Sequence, residues 1–131
     1  MKYLITFLLF TVLAVAAPNT PVSNVLLQNR IAATSETTTY AATTNLDLTK
    51  GLQTVTLTGD ITFTTSNKAA GVYLTVRVVG DGSNRTLVFP AWKFVGTVAP
   101  TTLVANKVAI LTLICFGTAD TDIVASWVSQ P

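Results

Sequence analysis

From Leu52 to Thr65 the chain reads LQTVTLTGDITFTT, with threonine alternating with Val, Leu, Ile and Phe on both sides of Gly59-Asp60. Extended backbone sends successive side chains to opposite faces, whereas a helix brings together residues three and four apart. Extended, this segment places Val55, Leu57, Ile61 and Phe63 on one buried face and Thr54, Thr56, Thr58, Thr62 and Thr64 on a wet one. With Gly59-Asp60 as the turn, the segment is expected to be a β-hairpin.

The rest of the chain keeps this character. From Asn45 onward, Gly, Pro, Asn and Asp clusters punctuate the sequence roughly every eight to twelve residues, the spacing of sandwiches and barrels rather than of βαβ units. Strands are expected at Leu46 to Leu48, Leu52 to Thr58, Asp60 to Ser66, Gly71 to Val79, Arg85 to Phe89, Trp92 to Val95, Lys107 to Phe116 and Thr121 to Val128, with no helix of normal length. Val108 to Phe116 is almost wholly apolar, which predicts a strand buried on both faces, central in its sheet or covered by another chain. The expected fold class is all-β: an antiparallel, jelly-roll-like β-sandwich over residues 45–131.

Two segments precede it. Met1-Lys2 leads into an apolar stretch from Tyr3 to Ala17 that contains the small-x-small triplet Ala14-Val15-Ala16. That is the order of a secretory signal cut after Ala16, and the stretch is shorter than the roughly twenty residues a spanning helix needs. Residues 1–16 are therefore read as a signal peptide or a hydrophobic anchor, with membrane contact through residues 1–17 in the second case. Residues 17–44, rich in Asn, Thr, Ser, Ala and Pro, read as an extended arm or linker.

Composition narrows the chemistry. The chain has 131 residues, enough for one domain with a real core. Half are hydrophobic and 11% are charged, so Thr, Ser, Asn and Gly must cover much of the surface, which suits contact with other proteins. The net charge is only +2 and the basic residues are scattered singly, which gives no footprint for nucleic acid. Histidine is absent and Cys115 is the sole cysteine, so an imidazole base, an intrachain disulfide and the usual zinc sites are excluded. Inside an apolar run, Cys115 reads as a small core residue.

Five further features stand in order: the threonine run, the turn at Ala70-Gly71, the strand and aromatic corner Arg85-Thr86-Leu87-Val88-Phe89-Pro90-Ala91-Trp92-Lys93-Phe94, the loop Gly96 to Thr101, and Ala105-Asn106-Lys107-Val108 running into Ile110-Leu111-Thr112. In this order and spacing the stretch from Asn45 to Val128 resembles the repeating β domain of bacteriophage tail fibres and other virion surface proteins. Phe89 stands where that pattern often has Trp, and Ala109 where it often has Asp. The resemblance implies a structural or receptor-contact role, homo-oligomers with three copies around an axis, and no catalytic residues.

Asp120 and Asp122 flank Thr121, and Asp81 lies beside Gly82; without a spaced motif these carboxylates read as turn residues, so neither a metal nor a cofactor is expected. Arg77 and Arg85 are expected to cap turns or pair with Asp81. For a contact surface the candidates are Tyr73, Trp92, Lys93 and Phe94, with Pro90 interrupting the ladder and pushing Trp92 and Lys93 toward an edge. The functional expectation is a non-enzymatic phage virion protein, a spike, fibre or capsid-associated subunit. Its expected partners are other virion proteins, further copies of itself and a host surface glycan or receptor. The alternative is a secreted or cell-surface bacterial β-sandwich module that binds glycan or protein.

Overall fold

The computed structural model describes residues 35–131. The expected leader or anchor and residues 17–34 of the expected arm lie outside the described residues. Ten strands follow in chain order: β1 Ser35–Thr38, β2 Thr43–Asp47, β3 Leu52–Thr56, β4 Ile61–Ser66, β5 Tyr73–Val79, β6 Arg85–Val88, β7 Lys93–Phe94, β8 Thr102–Leu103, β9 Val108–Cys115 and β10 Ile123–Ser129. They form a six-stranded sheet, in the order β1-β3-β5-β9-β10-β7, and a four-stranded sheet, in the order β2-β4-β6-β8. The only helical pieces among the described residues are two 3₁₀ turns, Leu48–Lys50 and Asp120–Asp122. None of the helices there is long and apolar enough to cross a membrane. The all-β expectation holds.

Connectivity departs from that expectation. From β1 to β9 each strand lies in the opposite sheet from the one before it, so the chain coils. Turns of the coil stack in parallel: β1 on β3, β3 on β5, β2 on β4 and β4 on β6. Parallel neighbours need a long crossover, usually a helix; here the strand in the other sheet serves as that crossover. Pairing is antiparallel only for β5 with β9, β9 with β10 and β6 with β8, while β7 joins β10 in parallel. The expected antiparallel, jelly-roll-like arrangement is therefore corrected to a mixed one.

The threonine hairpin is corrected for the same reason, since β3 and β4 belong to different sheets. Beyond β3 the Leu57 N–H still reaches back to the Val79 carbonyl at 2.8 Å, continuing the pairing with β5. Gly59-Asp60 is a corner between layers. Tyr40 lies against Gly59, and its hydroxyl donates to the Asp60 carbonyl at 2.8 Å. Asp60 Oδ1 accepts the Thr86 N–H, also at 2.8 Å, tying the corner to β6. Period-two alternation fixes which side chains point inward but not which strand lies alongside. Here Val55 and Ile61 look into the same interior from opposite layers.

That interior is one hydrophobic core shared by the sheets. Leu46, Ile61, Phe63, Leu87 and Leu103 enter it from the smaller sheet, and Val55, Leu74, Val76, Val78, Leu111, Leu113, Ile123, Ala125 and Trp127 from the larger. Burying each large aliphatic side chain contributes about 1.5–3 kcal/mol. Cys115 is buried among them, its thiol donating to the Gly117 carbonyl at 3.0 Å.

Strand β9 differs from the expectation of burial on both faces. Ala109, Leu111, Leu113 and Cys115 are buried, whereas Ile110 and Ile114 are exposed on the outer side. The folded region also begins before Asn45, because β1 pairs with β3 from Ser35 to Thr38. β1 carries no apolar residue to reveal it, and β8 is only two residues long.

Candidate interaction surface

The register of the larger sheet organises its outer side chains into rows across the strands. One row is Tyr73, Ile114, Val124 and Lys93; the next is Leu52, Thr75, Thr112 and Ser126; the third is Thr54, Arg77, Ile110 and Val128. Phe116 extends the first row's side of β9, its N–H donating to the Asp122 carbonyl at 3.0 Å. The most open apolar groups of this face are Tyr73 at 61%, Phe116 at 67% and Val128 at 68% exposure, with Ile110 at 40% and Ile114 at 43%. The only charge in the middle of the field is Arg77, which is exposed and has no ion pair among the described residues.

The outer side of the smaller sheet is of another kind. It carries Thr43, Asn45 and Asp47 on β2, Thr62, Thr64 and Ser66 on β4, and Thr86 and Val88 on β6. Asn45 Nδ2 donates to Ser66 Oγ at 2.7 Å, and Thr64 Oγ1 donates to Asn45 Oδ1 at 3.3 Å. Such a face satisfies its own polar groups and meets water without penalty.

The four candidate contact residues divide between outside and inside. Tyr73 and Lys93 lie in one row of the outer face, on β5 and β7, separated by β9 and β10. Trp92 is buried and Phe94 half-buried, in an aromatic cluster centred on Phe89. Phe63 stacks on Phe89 at 5.2 Å between ring centres, Phe94 meets it edge-on at 5.1 Å, and Trp92 and Trp127 lie at 5.6 and 6.0 Å. The expected edge position holds, since β7 is the last strand of the larger sheet, but Trp92 beside it is buried and offers no open contact surface. Pro90 does turn the chain, its carbonyl accepting the Trp92 backbone N–H at 2.7 Å, but the turn swings the indole inward. Ile110, Ile114, Phe116, Val128 and Arg77 were not among the residues expected on a contact surface, although Val108 to Phe116 was expected to lie central in its sheet or under another chain. The signal for the first three was present, since Val108 to Phe116 is apolar at both parities.

The carboxylates are engaged locally. Arg85 donates to both oxygens of Asp81, from Nε at 2.8 Å and Nη2 at 2.5 Å, and these bonds hold the Asp81 carboxyl below its usual range. Arg85 thus makes the expected pair and Arg77 does not. Asp120 Oδ1 accepts from Lys68 Nζ at 2.8 Å and from Thr65 Oγ1 at 2.7 Å, and both bonds lower its pKa, Lys68 the more. Asp47 is lowered by Asn67 and then by Thr49, which donate to its Oδ1 at 2.8 and 2.7 Å. Asp122 Oδ2 accepts the Ala119 N–H at 3.1 Å. Among the described residues no group of three or more acidic or cysteine side chains is arranged to hold a metal ion. Comparison with family models, curated proteins and solved structures returns no match.

Proposed function

We propose that this chain is a structural protein of a bacteriophage virion, a spike, fibre or capsid-associated subunit, that works by assembly or by contact with a host receptor and not by catalysis. The observation that carries the reading is the apolar outer face of the larger sheet, set on a rigid two-layer, sandwich-like coil. A face of this kind on a charge-poor chain favours a protein that spends its working life against other subunits. The motif order that resembles virion surface domains supports the same reading. Its elements fall on β3 and β4, the turn before β5, the β6 strand with its aromatic corner, the loop before β8, and β9. The exposure of Val98 in the loop between β7 and β8 supports a contact role for that loop.

Mass spectrometry of density-purified phage particles tests the proposal. The chain is expected as a fixed-ratio component of the particle. Recovery only as free protein in culture medium, starting at Ala17, would replace this reading with the exported surface module that the Met1 to Ala17 stretch favours.

A further inference from the structure

On β5, β9 and β10 the outer side chains of the larger sheet repeat about its middle row, which ends on β3 in Leu52. Along β9 they run Val108, Ile110, Thr112, Ile114 and then Phe116; along β10, Val124, Ser126, Val128; along β5, Tyr73, Thr75, Arg77. The centre of each series is a hydroxyl residue, and Thr75, Thr112 and Ser126 stand side by side in one row. Consider a second copy laid face to face and related by a two-fold axis along that row. Its strands run back over the same strands, and every position faces the one equally far on the other side of the axis. Ile114 then faces Ile110, Phe116 faces Val108, and Val124 faces Val128. On β5 the lone cation Arg77 faces the exposed ring of Tyr73, a cation–π partner for a guanidinium that has no ion pair among the described residues.

An axis along β9 instead would set Arg77 against Val128 and leave the guanidinium desolvated without a partner. The face spans four strands, β3 to β10, and along β9 the four outward positions Val108 to Ile114 with Phe116 just beyond the strand. At strand spacings that is roughly 20 by 27 Å, or on the order of 500 Å². Two such faces bury on the order of 1,000 Å², the size at which specific interfaces begin. We infer that the outer face of the larger sheet is a self-association surface, pairing two copies about a two-fold axis through Thr75, Thr112 and Ser126. The inference rests on the assembly reading for its partner and on strand register for its geometry.

Sedimentation equilibrium of the full chain tests it, with the wild type, Ile114→Lys and the double variant Ile110→Asp/Ile114→Lys. The wild type is expected to be a dimer. Ile114→Lys is expected to weaken pairing by on the order of a hundredfold by burying an unpaired ammonium, while its circular dichroism stays that of the wild type. In the double variant each new ammonium faces the partner's new carboxylate, so pairing returns at low salt and fades at high salt. A wild type that is monomeric or trimeric, an Ile114→Lys variant that pairs as the wild type does, or a double variant no better than the single one would each overturn the inference. Absence of the chain from phage particles would remove the virion reading and leave this result standing.

Discussion

The two outer faces of this coil are built on the same alternation and end in opposite chemistry. On the smaller sheet the outward positions of β2 and β4 are Thr, Asn, Asp and Ser, several of them bonded to one another. On the larger sheet the outward positions of β9 are Val, Ile, Thr and Ile, and those of β10 are Val, Ser and Val. The inner faces are alike, because both must dehydrate against each other. The inner parity of a strand thus reports the fold, and the outer parity reports what the folded unit meets.

The strongest break between inside and outside lies within β9. Leu111→Ala removes a fully buried side chain at the centre of the core and is expected to cost about 3 kcal/mol. Ile110→Ala, one residue away on the outer side, is expected to cost well under half of that in the monomer. Urea denaturation of both variants measures the difference, and equal losses would mean that β9 is enclosed on both sides within one chain.

The corner that separates the layers gives the next effect. A methyl group at Gly59 would displace the Tyr40 hydroxyl from the Asp60 carbonyl, so Gly59→Ala is expected to destabilise by about 1 kcal/mol. Tyr40→Phe in the same background is expected to recover part of the loss, as thermal melting of the pair would show. A smaller effect belongs to the polar face: Asn45→Ala frees only exposed hydroxyls, so about 0.5 kcal/mol is expected and no change in association.

Acid provides a test that acts on the loops rather than on either face. Asp47, Asp81 and Asp120 all have pKa values lowered from 3.8 by hydrogen bonds they accept in the folded chain. Groups depressed on folding add stability that is fully present above the unfolded value and is lost as pH falls through the folded one. Melting temperature is therefore expected to hold down to about pH 4 and to fall below it. Asp120→Asn is expected to flatten that fall.

Much of this was legible in the letters. The buried set Val55, Leu57, Ile61 and Phe63 follows from alternation alone, and most of the strands from Leu52 onward lie within a few residues of where turn residues put them. Neighbour identity was not legible. Gly59-Asp60 has the chemistry of a turn, and a turn into the opposite layer uses the same residues as a hairpin; the difference lies in Tyr40 and Thr86, which reach the corner from distant sequence. Trp92 shows the same limit, since a proline break does not say which way the next side chain swings. The outer face was half legible: the mostly apolar run of β9, broken only by Thr112, predicts burial on both sides, and the outer side, with Ile110 and Ile114, is exposed in this chain.

The inequality of the two faces is tested most directly by hydroxyl-radical footprinting of the full chain over a range of protein concentrations. Oxidation of Tyr73, Ile114 and Phe116 is expected to fall as concentration rises, while that of Val88 on the smaller sheet stays constant. Equal, concentration-independent oxidation on both sides would contradict it.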